Sequence, residues 1–346
     1  MESFWRSETP LLQEFTPEKP VLRENEIALM VDALKPALSG RKAGNLLIYG
    51  RPGTGKTTIS KYVARKFAEQ TGRSIPVYAN CWQSATENSI VSRIAKALQL
   101  PILTSGIKTE LILDEVFTEL KKNKRELLLI LDEADQLISR KEEGILYEFS
   151  RSGELRGVGC ALLLITNRRE EFSFLDDRVK SSLSLREVEF KPYTPTQLKA
   201  ILTERARLAF KEGSCGEEVI AVCAARGAKE GGDCRKAIEC LWLSAKEAEK
   251  KGLDYISTDC IPKKVETKEK EEITENLTEG EKTVLNFIAG EKDWVRVKKI
   301  YDLMDDRTER SARRVIEKLT EYGLLETRQV KEGRVHYTEL KIREKK

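Results

Sequence analysis

The octapeptide GRPGTGKT at residues 50–57 limits what this chain can fold into more than any other stretch, because of what flanks it. Before it stands LLIY, an apolar run of strand length, and after it TISKYVARKF carries helical spacing. Glycines at 50, 53 and 55 let the backbone wrap until successive N–H groups converge on one anion at the positive end of the following helix. The spacing predicts a Mg-nucleotide site, ATP or ADP with Mg²⁺. Its residues are Gly50, Pro52, Gly53, Thr54, Gly55, Lys56, Thr57 and Thr58, with Lys56 charging the β and γ phosphates and the Thr57 hydroxyl placed for the metal. Arg51 inside the loop receives no role.

The surrounding sequence supports this. From about residue 45 to 190 apolar runs alternate with helical patterns: LLIY, IPVYAN, LLLILD, ALLLIT and REVEF are the strands. Continuous apolar strands separated by amphipathic helices predict a parallel sheet covered on both faces. LLLILDEAD ends its strand in acids: Asp132 stands where a carboxylate holds a metal's water shell, and Glu133 where one deprotonates an attacking water. Solvated acids terminating a strand are the alternative for Glu133 and Asp135, and the neighbouring phosphate loop weighs against it. Asn167, ending ALLLITN, projects toward the crevice where open α/β sheets bind ligands.

At KPYTPTQL the pattern changes. Thr194 caps a helix with Pro195 in its first turn, Leu198, Ile201, Leu202 and Leu208 recur at helical spacing, and the chain reads helical to about Ile261. A stretch with almost no apolar content follows. The expected division is 1–190 for the nucleotide-binding α/β domain, 191–262 for a helical lid, 263–276 for a linker and 277–346 for a last domain.

That last domain shows three helical patterns and then LLETRQVKEGRVHYTEL, two short strands about a turn, which together make a winged-helix pattern. In DDRTERSARRVIEKLTEYGLLE, Arg307, Arg310, Arg313 and Arg314 crowd the start of a helix whose other face carries Ala312, Ile316, Leu319 and Tyr322. A solvated helix and a nucleic-acid reader both fit. Location adds weight to the second: the whole chain carries +4, whereas residues 296–346 hold fifteen Lys or Arg against ten Asp or Glu. Arg307, Arg310, Ser311, Arg313 and Arg314 on the helix, with Arg328, Lys331 and Arg334 on the wing, are the expected duplex DNA contacts, to bases or to phosphates.

Seven cysteines without a CxxC pair and one histidine, His336, argue against a zinc site or a disulfide framework. The N-terminus has no apolar core of a signal peptide and no run approaches a membrane span, so a cytoplasmic, nucleoid-associated protein without a membrane partner is expected.

With these motifs in order the chain resembles the AAA+ ATPases. Over roughly residues 15–340 it resembles the origin recognition complex and cell-division-cycle replication initiators of archaeal type. The resemblance implies an AAA+ α/β domain, a helical lid and a C-terminal winged helix. KEGGDCRKAIECLWLSA looks like the family's second sensor, which puts Arg235 over the γ-phosphate, with Lys236 the alternative. FLDDRVKSSLS looks like the arginine-finger segment, with Arg178 acting in trans and Asp177 where proline is common. Val21, Leu22 and Arg23 look like the strand embracing adenine, and residues 81–108 fall where the clade carries inserted helices that touch DNA, although Ile90, Ile94 and Leu98 there read as packing. The implied activity is slow ATP hydrolysis switching an initiator that binds origin duplex, with the replicative helicase and paralogous initiators as partners. A DNA-bound regulator with vestigial ATPase activity is the alternative. A winged helix serving protein contact only is a third reading.

Overall fold

The protein's structure is a computed structural model that describes residues 3–82, 86–101, 106–262, 277–291, 293–303, 309–321, 324–332 and 335–342. It divides into two units, Met1–Lys263 and Lys264–Lys346.

In the first unit five strands, β1 (Leu46–Gly50), β2 (Ser74–Asn80), β3 (Glu126–Asp132), β4 (Cys160–Thr166) and β5 (Arg186–Phe190), form one parallel sheet in the order β2-β3-β4-β1-β5. The reason lies in their residues. Successive side chains of a strand face opposite ways, so Leu127, Leu129 and Leu131 enter one core while Leu128 and Ile130 enter the other. Helices α1 (Glu24–Leu34) and α2 (Lys56–Thr71) cover the second core. The first is covered by α3 (Glu87–Ala97), α4 (Thr109–Lys122), α5 (Asp135–Ser139), α6 (Gly144–Ser150) and α8 (Asp177–Leu183), with α7 (Ser152–Leu155) following α6. Each Leu or Ile so buried contributes about 1.5–3 kcal/mol relative to exposure. All five strands therefore end at one edge, beside the glycine loop.

The lid comprises α9 (Pro195–Ala209), α10 (Glu217–Lys229) and α11 (Cys234–Lys250). Thr194 caps α9 as expected, in a reciprocal box with Gln197. Leu198, Ile201 and Leu202 are buried. Helix does not continue to Ile261: beyond Lys250 the backbone turns at Gly252 (φ 68°), and only a 3-10 turn, Thr258–Cys260, follows. Between residues 81 and 108 the described residues hold a single helix, α3, with Ile90 and Ile94 fully buried as a packing stripe.

The second unit runs α12 (Glu279–Gly290), β6 (Val295–Arg296), α13 (Val297–Leu303), α14 (Glu309–Glu321), β7 (Leu325–Glu332) and β8 (Val335–Ile342). Its sheet is antiparallel in the order β6-β8-β7, which is a winged helix with one strand, β6, that the sequence did not announce. Val284, Ile288, Ile300, Ala312, Ile316, Leu319 and Leu340 make its core. Among the described residues no helix is long and apolar enough to cross a membrane.

Candidate functional site: a phosphate loop between sheet and lid

The loop between β1 and α2 bends as only glycine bends easily: φ is 149° at Gly50, 70° at Gly53 and 91° at Gly55. Close approach adds to the requirement, since a Cβ on Gly53 would lie 1.7 Å from Asp233 Oδ1 and one on Gly55 2.6 Å from the Tyr193 hydroxyl. Pro52 is exposed, Thr54 is buried and Thr58 half-buried on α2. Exposed Arg51 lines a shallow hollow of about 520 Å³ with Pro192, Tyr193, Lys229 and Gly231.

Lys56 is buried and donates to the carbonyls of Gly50 (2.8 Å) and Arg51 (2.9 Å) and to Asn167 Oδ1 (2.7 Å). Burial, then the Arg235 charge, lower its pKa to about 8 against the pull of Asp132, Glu133 and Asp233. Thr57 donates its hydroxyl to Asp132 Oδ2 at 2.7 Å, and Tyr78 donates to the same oxygen at 3.0 Å. Asn167 donates its amide to both oxygens of Glu133, at 3.0 and 3.2 Å. It thereby bridges Lys56 and Glu133. Glu133 sits in the left-handed region, φ 55°, a strained conformation for a residue with a Cβ. Burial, followed by Asp132 and Asp135, raises its carboxyl pKa. Asp135 is not a solvated strand end: it is buried and accepts from the Thr166 hydroxyl at 2.7 Å. A hollow of about 400 Å³ lined by Asn80, Trp82, Glu133, Gln136, Asn167 and Arg168 opens beside the glutamate.

From the lid, Asp233 caps α11 and the Cys234 amide donates to the Gly53 carbonyl at 3.0 Å. Arg235, in the helix's first turn, is exposed, with its charge felt at both Lys56 and Glu133. Of the N-terminal trio, Val21 and Leu22 are half-buried. Arg23 is buried and donates to the carbonyls of Thr54 (3.2 Å) and Lys191 (2.5 Å). Arg178 stands apart on α8, 85% exposed, held by Asp176 at 3.2 Å.

Within the wing unit, Arg313 and Arg314 are exposed on α14 opposite buried Ala312, Val315, Ile316 and Leu319. Arg328 on β7 pairs with Glu339 at 2.8 Å and lies over the Trp294 ring at 4.3 Å. Arg307, Arg334 and the linker 263–276 lie outside the described residues, as do the side chains of Arg310, Ser311, Lys331 and Tyr322. Sequence reasoning missed Tyr78, Asp233 and Tyr193. A tyrosine two residues before the end of β2 was the one signal available, whereas the other two depend on the lid's docking.

The residues described above fit Mg-ATP: the glycine cradle matches a polyphosphate, and Thr57 with Asp132 offers the hard oxygen pair that Mg²⁺ takes. A parallel sheet of this strand order, with that loop and a three-helix lid docked on it, makes the chain an AAA+ ATPase by class. Family models agree: an AAA domain matches residues 39–171 and a Cdc6 AAA+ ATPase-type lid domain residues 199–265. Within the class the chain belongs to the ORC1-type DNA replication protein family. It is 31% identical to ORC1-type DNA replication protein 1 of Sulfurisphaera tokodaii, over 95% of this chain and 87% of that one. With the Archaeoglobus fulgidus protein of the same name identity is 32%, over 98% and 88%. Among solved structures the Aeropyrum pernix ORC1 protein in complex with DNA superimposes with a TM-score of 0.89 at 29% identity, covering 99% of this chain and 95% of that one.

Proposed function

We propose that the protein is an ATP-dependent replication initiator that binds duplex DNA at origins and helps recruit or load the replicative helicase, with slow ATP hydrolysis as its switch. One observation carries the reading: Lys56, Asn167 and Glu133 hydrogen-bonded in series beside the Thr57–Asp132 pair, and a helix with Arg313 and Arg314 exposed, occur in the same chain. The similar Aeropyrum pernix protein, solved on DNA, supports it.

In this mechanism the loop amides and Lys56 hold the β and γ phosphates, and Thr57 with Asp132 would hold Mg²⁺, which when bound would supply charge screening at the phosphates. Asn167 holds both partners at once, accepting from Lys56 through Oδ1 and donating to Glu133 through its amide nitrogen. A γ-phosphate that draws the Lys56 ammonium and the Asn167 amide toward itself releases Glu133 to take a proton from water in the adjoining hollow. Arg235 on α11 then reports the γ-phosphate to the lid, and Arg178 serves a neighbouring initiator in trans. The division 1–190, 191–262, 263–276 and 277–346 assigns hydrolysis, lid, linker and DNA reading. In the last, Arg307, Arg310, Ser311, Arg313, Arg314, Arg328, Lys331 and Arg334 meet bases or phosphates.

Single-turnover hydrolysis on nucleotide-stripped protein tests the enzyme half. Lys56→Ala abolishes ATP binding, and Glu133→Gln retains ATP but slows turnover at least 100-fold. Undetectable wild-type turnover would favour the regulator with vestigial activity.

A further inference from the structure

Arg23 is 7% exposed, an unusual place for a guanidinium. It lies 4.0 Å over the Tyr193 ring and 5.4 Å from the centre of Phe190, with Glu26 as its ion partner at 2.7 Å. Its second arm, Nη2, reaches two backbone carbonyls far apart in sequence, Thr54 in the phosphate loop and Lys191 in the connection from β5 to the lid. The backbone is bent to bring it there: Leu22 and Arg23 are both left-handed, φ 73° and 76°, immediately before α1 begins. Two consecutive non-glycine residues in that region imply that the surroundings impose the conformation.

What the contact does follows from peptide geometry. In a planar trans peptide the C=O of one residue and the N–H of the next point in opposite directions. Holding the Thr54 oxygen against Arg23, on the side of Lys191 and Tyr193, turns the Gly55 N–H the other way. The Cys234 amide of the lid does the same for the preceding unit, holding the Gly53 oxygen and turning the Thr54 N–H.

We infer that Arg23 is a positioning residue of the nucleotide site: it fixes the Thr54 carbonyl so that the Gly55 amide faces the bound polyphosphate, rather than embracing the adenine. This rests on the nucleotide reading above. A lysine at this position keeps the charge and loses the fork that serves Glu26 and two carbonyls together. The effect falls on phosphates lodged in the loop and spares the part of the nucleotide outside it.

The test is equilibrium binding by the full-length protein, wild type and Arg23→Lys, with ATP, ADP and AMP as competitors of a fluorescent ADP, alongside the nucleotide-free melting temperature. ATP and ADP affinities fall roughly tenfold in Arg23→Lys, the weight of one charge-assisted hydrogen bond, while AMP affinity changes less than threefold. Should Arg23→Lys fail to fold, Glu26→Gln frees the guanidinium from its ion partner without touching the loop and gives a smaller loss in the same order. A folded Arg23→Lys with unchanged ATP and ADP affinities, or with AMP weakened as much as ATP, overturns the inference while the nucleotide reading stands. Wild-type protein that binds neither ATP nor ADP overturns both.

Discussion

Lys56 is held by three acceptors, two loop carbonyls and the Asn167 oxygen, and pays for that burial with a pKa lowered to about 8. The sign of the consequence is definite. Near neutral pH the ammonium is charged with or without nucleotide; as pH rises through the lowered value the free protein loses that proton, while bound phosphate holds it on. ATP binding at about pH 8.5–9 therefore takes up close to one proton and weakens as pH rises further. Calorimetry in two buffers of different ionisation enthalpy measures the uptake; a buffer-independent enthalpy at that pH would contradict the assignment. At the same scale, Lys56, Thr57 and Asp132 were legible in the sequence because loop and strand end are local patterns. Tyr78, the second donor to Asp132, was not, since nothing local to IPVYAN says which strand lies beside it.

At the scale of elements, the N-terminal segment illustrates what periodicity cannot reveal. Phe4 and Trp5 pack with Phe210 at the end of α9, Glu8 accepts from Trp242 Nε1 at 2.6 Å on α11, and buried Arg205 of α9 donates to the carbonyls of Pro10 (2.8 Å) and Phe15 (3.4 Å). The segment thus straps the lid before it reaches α1. Arg205→Ala leaves those carbonyls without their charged donor and costs about 2 kcal/mol. The expected result is a lower thermal midpoint with DNA affinity unchanged; an unaltered midpoint would show that the strap bears no load. The inner strands β1, β3 and β4 were legible because burial on both faces demands continuous apolar runs, whereas the edge strands β2 and β5 bury only some of their residues. The strand β6 was not, because Val295–Arg296 is too short to carry a period, and the lid's irregular end after Gly252 was overread as helix.

At the scale of the whole molecule one chain carries two kinds of chemistry, a nucleotide loop in Met1–Lys263 and a basic helix face in Lys264–Lys346. The sequence already concentrated the charge there, fifteen Lys or Arg against ten Asp or Glu from residue 296 on. What it left open is which of the proposed DNA contacts read bases and which hold phosphates. If Arg313 and Arg314 hold phosphates, each contributes about 0.9 to the slope of log affinity against log salt. The measurement closest to the central claim is genome-wide DNA occupancy of the wild-type protein beside an Arg310→Ala, Arg314→Ala variant. The account predicts a few sharp, origin-like sites that the variant loses at equal protein abundance. Diffuse wild-type occupancy, or sharp sites indifferent to the two arginines, would contradict it.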